Sequence, residues 1–187
     1  MSKRSWNILV LCTGNSARSI LAEALFNALG GGRVQAYSAG SRPVGKVNPH
    51  ALELLEAQGL ETAGLRSKNW DEFAAADAPP LDLVVTVCGN AANETCPVWP
   101  GAYLRAHWGI DDPAAAEGAN AGSEAAIRAA FMKAYALLTE RILTFLSLSF
   151  EDMDRAELQQ HLDEIGRAGA AAAIPDSPLQ NPLAAPG

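Results

Sequence analysis

The stretch Asn7-Ile-Leu-Val-Leu-Cys12-Thr-Gly-Asn-Ser-Ala-Arg-Ser19 decides how this chain folds. Its apolar run, Ile8 to Cys12, is unbroken, as a strand covered on both faces requires. A polar turn follows, Thr13 to Ser16, in which Gly14 and Asn15 tolerate backbone angles closed to most residues. A helical pattern begins at once, with Ile20/Leu21, Ala24/Leu25 and Ala28/Leu29 on one face, until Gly30-Gly31-Gly32 stops it. Strand, tight turn and helix form the first half of a βαβ unit.

The pattern repeats outward from this unit. A second strand is expected over Val34 to Ser38. Asn48 as N-cap, Pro49 at the first helical position, Leu52 and Leu55 inside and Gly59 at the end mark a second helix. Leu81 to Cys88 reads as a third buried strand, and Ala102 to His107 as a weaker fourth. Ser123 caps a long helix with Ile127, Phe131, Ala134, Leu138 and Ile142 along one stripe. Strands alternating with helices predict an α/β fold with a mainly parallel sheet. Ligands of such sheets sit beyond the C-terminal strand ends, so chemistry is expected just after Cys12, Ser38, Cys88 and His107.

Beyond about residue 148 the composition shifts. Asp152 is the expected cap of one more helix, Met153 to Ile165, and Ala168 to Gly187 reads as a flexible Ala/Pro-rich tail. The expected organisation is a catalytic domain over 1–147, a helical extension over 148–167 and a tail over 168–187.

Composition narrows the classes of function. With 187 residues, 49% of them hydrophobic and 19% charged, the chain can bury a real core. A net charge of −7 disfavours nucleic acid and acidic membrane surfaces as partners. No apolar run approaches the roughly 20 residues that span a bilayer. Three cysteines are too few for a disulfide framework, and no export signal is legible, so the expected compartment is the reducing cytoplasm.

The loop Cys12-Thr-Gly-Asn-Ser-Ala-Arg-Ser19 has a Cys-x5-Arg-Ser pattern that suits a tetrahedral oxyanion. A short loop entering a helix aims several backbone N–H groups at one point, and the helix dipole adds positive potential there. Arg18 can hold two oxyanion oxygens in its planar fork. At the base of this nest the Cys12 thiolate is expected to be favoured, with Ser19 able to donate a hydrogen bond to it. Thr13, Gly14, Asn15, Ser16, Ala17 and Arg18 are the expected oxyanion-binding residues. Asp112, in Asp111-Asp112-Pro113 after the fourth strand, could protonate an oxygen leaving group.

Cys88 and Cys96 form a second thiol pair that a phosphatase does not need and a two-electron reductase does. If the first and third strands are neighbours, about 4.8 Å apart, Cys12 and Cys88 could join after a modest loop movement. His50, His107 and His161 are scattered, so no zinc pattern is legible, and neither a metal nor a cofactor is expected.

Cys12–Ser19, Tyr37-Ser-Ala-Gly40, Val47-Asn-Pro49, Asp82-Leu-Val-Val-Thr86, Cys88…Cys96-Pro97 and His107-Trp-Gly-Ile-Asp-Asp-Pro113 together resemble the arsenate reductases of the low-molecular-weight tyrosine phosphatase superfamily. The resemblance runs over roughly residues 6 to 146. It implies a three-layer α/β/α fold with a four-stranded parallel sheet in the order 2-1-3-4. It implies a nucleophilic Cys12, an oxyanion loop closed by Arg18, and Asp112 as general acid. It also implies a thiol cascade. Cys12 attacks arsenate, Cys88 attacks the adduct to release arsenite and leave a Cys12–Cys88 disulfide, and Cys96 passes that disulfide outward for thioredoxin to reduce.

Glutathione or glutaredoxin would be the other reductant, and phosphate or sulfate would serve as arsenate analogues. Seven residues separate Cys88 from Cys96, one more than in thioredoxin-coupled members. Some members bind a cation with counterparts of Asn15, Glu23 and Ser38 and an acid near position 69. Here Asn69 is neutral and Lys68 is adjacent, a ready source of positive charge. The alternative reading is a protein tyrosine phosphatase using Cys12, Arg18 and Asp112 alone. Ala114-Ala115-Ala116 offers no aromatic wall for a phosphotyrosine ring, which favours a small inorganic oxyanion.

Overall fold

The structure is a computed structural model that describes residues 4–94, 97–117 and 122–168. Cys96 and the expected tail beyond Ala168 lie outside the described residues. The strands are β1 (Trp6–Leu11), β2 (Val34–Ala39), β3 (Leu83–Thr86) and β4 (Leu104–His107). They form one sheet in the order β2-β1-β3-β4, parallel throughout, as the resemblance implies. The two central strands carry the unbroken apolar runs because both of their faces are covered. The edge strand β4 alternates buried and exposed residues, Leu104 and Ala106 in, Arg105 and His107 out.

Register fixes where chemistry can gather. Leu11 pairs with Ala39 on one side and Thr86 on the other, and Thr86 pairs with His107. The C-terminal strand ends therefore form one row, and Cys12, Cys88 and the 108–112 segment all leave from it.

Among the described residues, five helices complete the fold: α1 (Arg18–Leu29), α2 (Pro49–Ala57), α3 (Gly89–Asn93), α4 (Glu124–Leu146) and α5 (Arg155–Ala168). One sheet face, with Ile8, Val10, Leu83 and Val85, joins a core with residues of α1, α2, α4 and α5. The other face, with Leu9, Leu11 and Val84, is closed by a thin layer of Trp70 and Phe73 from a short 3-10 turn and by Trp99. Asn48 caps α2 through its side chain, with Pro49 next, and Ser123 caps α4. The stripe Ile127, Phe131, Ala134, Leu138 and Ile142 is buried along α4. Burying each large apolar side chain of that kind contributes about 1.5–3 kcal/mol.

The last helix differs from expectation at its start. Its cap is Asp154, whose carboxylate accepts from the N–H groups of Ala156 and Glu157, because a turn held by Asp152 N to Ser149 O occupies the preceding residues. Leu158, Leu162 and Ile165 are buried in the main core. The Trp108 indole donates to Leu162 O at 3.1 Å, so α5 seals the exit of β4. Among the described residues, no helix is long and apolar enough to cross a membrane.

Candidate active site

β1 delivers Cys12 to the sheet edge, where its N–H bonds Ala39 O at 3.2 Å. The loop that follows is turned inside out by its neighbours. Thr13 O, Gly14 O and Ser16 O accept from the N–H groups of Arg42, Val44 and Asn48 at 2.9–3.0 Å. Across a planar trans peptide the next N–H points the opposite way. The amides of Gly14, Asn15 and Ala17 are thus turned away from those outer partners, which makes an anion nest. Gly40 is what lets β2 approach so closely, since a Cβ there would stand 2.4 Å from Thr13 O and 2.8 Å from Cys12 O.

Asn15 holds a left-handed backbone, φ 43°, and is fully buried. Its amide donates to Ser19 Oγ and Ser38 Oγ, both at 2.9 Å, and its carbonyl accepts from Lys68 N at 2.8 Å. The bond that the structure gives Ser19 is therefore to Asn15, and Ser19 braces the loop from behind. Ser38 donates in turn to Glu23, whose carboxylate stands 3.6 Å from Lys68 Nζ. Burial pushes the Glu23 carboxyl up and the Lys68 ammonium down, and each opposes the other's shift. Lys68 supplies the positive charge at this spot, while Asn69 turns away to accept from Asp71 N. The set does not fit an additional potassium ion.

Arg18 opens α1 and lies across the mouth of the loop. Its Nη1 donates to Ile110 O at 3.2 Å, and its Nη2 pairs with Asp112 Oδ2 at 3.0 Å. Its Nε is buried without a partner among the described residues. Asp112 also accepts from Ala114 N, which fixes the carboxylate at the start of a short 3-10 turn, Pro113–Glu117. Asp111 points away, 95% exposed and paired with Lys133.

Cys12 and Cys88 are both buried and unbonded to each other covalently. Cys88 caps α3, its sulfur accepting from Ala91 N at 3.4 Å and standing 3.6 Å from Thr13 Oγ1. The two thiols lie close enough to shift each other's ionisation. The neighbouring Cys12 thiol brings Cys88 down to about 5. Cys88, with burial, pushes Cys12 up, against the pull of Arg18 and the Gly14 amide. Two adjacent thiolates repel, so the pair favours one negative charge over two.

The structure thus brings together Cys12, Thr13, Gly14, Asn15, Ser16, Ala17, Arg18, Cys88 and Asp112 at one sheet edge, with Ser19 beneath them. The Ile110 carbonyl under Arg18 and the Thr13–Cys88 contact were not legible beforehand, since neither a backbone acceptor nor a loop contact leaves a residue-type signal.

Residues 7–161 match the low molecular weight phosphotyrosine protein phosphatase family. An arsenate reductase of Halalkalibacterium halodurans is 43% identical over 111 residues, covering 59% of this chain and 76% of that protein. One from Bacillus subtilis is 41% identical over the same shares. The crystal structure of an arsenate reductase from Archaeoglobus fulgidus superposes with a TM-score of 0.56 at 30% identity, over 75% of this chain and 99% of the other. The fold is also that of a low molecular weight protein tyrosine phosphatase from T. tengcongensis, with a TM-score of 0.54 at 23% identity over 74% of this chain and 97% of that one.

Proposed function

The chain belongs to the low molecular weight phosphotyrosine protein phosphatase family and stands with its arsenate reductases, and from that premise we propose that it reduces arsenate to arsenite with the electrons of two of its own thiols. The observation that carries this reading is the second sulfur. A hydrolase of this design needs Cys12 as its one thiol, whereas here a second buried thiol, Cys88, lies beside the same loop.

Arsenate binds in the nest of loop amides, with the Arg18 guanidinium exchanging Asp112 for an oxyanion oxygen. The unpartnered Arg18 Nε supports this, since an oxyanion would supply its missing acceptor. Cys12 passes its proton to the neighbouring Cys88 and attacks arsenic. An As–O bond breaks, and Asp112 protonates the departing oxygen so that it leaves as water. Cys88 releases its proton to solvent and attacks the Cys12 sulfur. The S–As bond breaks with its electron pair passing to arsenic, so As(V) becomes As(III) while two thiols become one disulfide. Cys96 is the proposed third thiol, attacking Cys88 so that Cys12 leaves as a free thiol and a Cys88–Cys96 disulfide forms, and thioredoxin or glutaredoxin is the proposed reductant. This chemistry belongs in a reducing cytoplasm.

The test is a disulfide map by mass spectrometry after one equivalent of arsenate without reductant. One arsenite and one disulfide per chain, joining Cys12 to Cys88 or Cys88 to Cys96, is expected. Three free thiols with the arsenate unchanged would leave a phosphatase.

A further inference from the structure

A second cluster of donor groups lies away from the thiols, where α2 meets the first turn of α4. His50 stands near the start of α2 with Glu53 one turn on, and Glu124 opens α4. His50 Nδ1 is buried and has no hydrogen-bond partner among the described residues. An orphaned imidazole nitrogen is costly to keep dry. Two carboxylate oxygens face it, Glu53 Oε2 at 3.9 Å and Glu124 Oε1 at 3.8 Å. These distances are too long for hydrogen bonds. They are close to the separation of two donors that share one ion at about 2.1 Å each. All three donor atoms lie within 4.8 Å of one another.

The other side of the ring is suited to the same end. His50 Nε2 faces Glu117 Oε1 at 4.0 Å, and Glu117 is itself held by Asn48 Nδ2 at 2.9 Å. That separation is also too long for a hydrogen bond, so Glu117 adds a third negative charge near the ring. The ring leans on Phe131, and a cavity of about 300 Å³ opens beside it, lined in part by Leu54, Phe131 and Met132. Three carboxylates thus surround one imidazole. Arg128 Nε donates to Glu124 Oε1 at 3.0 Å. The two ligating glutamates are more than half exposed, so a small rotation brings their oxygens inward.

We propose that His50, Glu53 and Glu124 form a site for one divalent cation of the manganese or zinc class, which pins α2 to the start of α4. One imidazole nitrogen with two carboxylate oxygens suits those ions better than calcium or magnesium, which prefer oxygen alone. The sequence gives no zinc pattern because the three ligands are brought together only by helix packing.

The test titrates manganese into the reduced full chain in phosphate-free buffer, reading free ion by its paramagnetic resonance. One ion per chain is expected, displaced by zinc, with a thermal midpoint that rises with manganese. His50→Ala and Glu124→Gln should each weaken uptake by at least about tenfold, and Cys12→Ser should leave it unchanged. Near-UV circular dichroism checks the fold of each variant. If His50→Ala does not fold, the exposed Glu53→Gln and Glu124→Gln decide. No uptake at millimolar manganese, uptake indifferent to these substitutions, or uptake abolished by Cys12→Ser overturns the proposal.

Discussion

Arg18 Nη2 and Asp112 Oδ2 face each other at 3.0 Å, so the cation offered to an oxyanion is held by the residue proposed as the acid. The pair is partly open to solvent, with Asp112 44% exposed, and such pairs contribute little, about 0.2–1 kcal/mol. Substrate can therefore displace Asp112 cheaply. Asp112→Asn should move two quantities in opposite directions. Phosphate or sulfate should bind about 1.5- to 5-fold more tightly, because a competitor for Arg18 is gone. Arsenate turnover should fall by roughly 10²–10⁴. Calorimetric titration with phosphate and initial rates measure both, and an unchanged rate removes Asp112 from the acid role.

The thiol pair gives a pH signature. Cys88 titrates at about 5 when folded, against 9.0 for an ordinary thiol. Its contribution to stability is thus complete above pH 9.0 and lost as the pH falls toward 5. Cys12 is raised, so its contribution is present below 9.0 and lost as the pH climbs beyond that value. Stability against urea should rise from pH 5 to 9 and decline above. Thiolate absorbance should report one thiolate for the pair across that window.

Cys88→Ser should remove that rising limb. It should also let Cys12 ionise at lower pH than in the natural chain, because its thiol partner is gone while Arg18 and the Gly14 amide remain. The variant should release no arsenite, yet still cleave an aryl phosphate slowly. Arsenate turnover that survives this change rules out Cys88 as the second thiol.

The parts of this site that were legible in the sequence share a physical reason. β1 and β3 announce themselves as unbroken apolar runs because both faces are buried, and Cys12 and Cys88 are found by where those runs stop. Asn48, Pro49 and Ser123 mark helix starts because capping depends on residue type. What escaped depends on partners rather than type. The mutual influence of Cys12 and Cys88 joins residues 76 positions apart in sequence, and no spacing rule weighs one sulfur against another. Asp154 rather than Asp152 caps α5 because a turn occupies the earlier residues, which two aspartates in one stretch cannot reveal.

Lys68 and Glu23 test the support beneath the loop. Both side chains are about nine-tenths buried, and Glu23 also takes the Ser38 hydroxyl. Lys68→Met leaves a buried carboxylate without its cation, which typically costs about 3–5 kcal/mol. Adding Glu23→Gln should restore most of that loss, since the uncompensated charge is then gone. Urea denaturation of the single and double variants measures this; equal stabilities would show that the ion pair does not support the loop.

Arg141 gives the sharpest test of how Asp112 is held. It is only 4% exposed, and it donates to Trp108 O at 2.7 Å, Gly109 O at 3.2 Å and, from α5, Gly166 O at 3.4 Å. Arg18 holds the next carbonyl, Ile110 O. Three consecutive carbonyls leading to Asp112 are therefore gripped by two guanidinium groups, one from the oxyanion loop and one from α4. Once Arg18 turns to an oxyanion, Arg141 is the guanidinium left on that segment. Arg141→Met should cost about 1–3 kcal/mol for each buried carbonyl left bare, and it should lower turnover while phosphate affinity stays unchanged, because the 12–19 loop is untouched. Arg141→Lys, with one point charge in place of a fork, should recover only part of the rate. Turnover equal to that of the natural chain at saturating arsenate, in a folded Arg141→Met variant, would show that Asp112 is positioned without it.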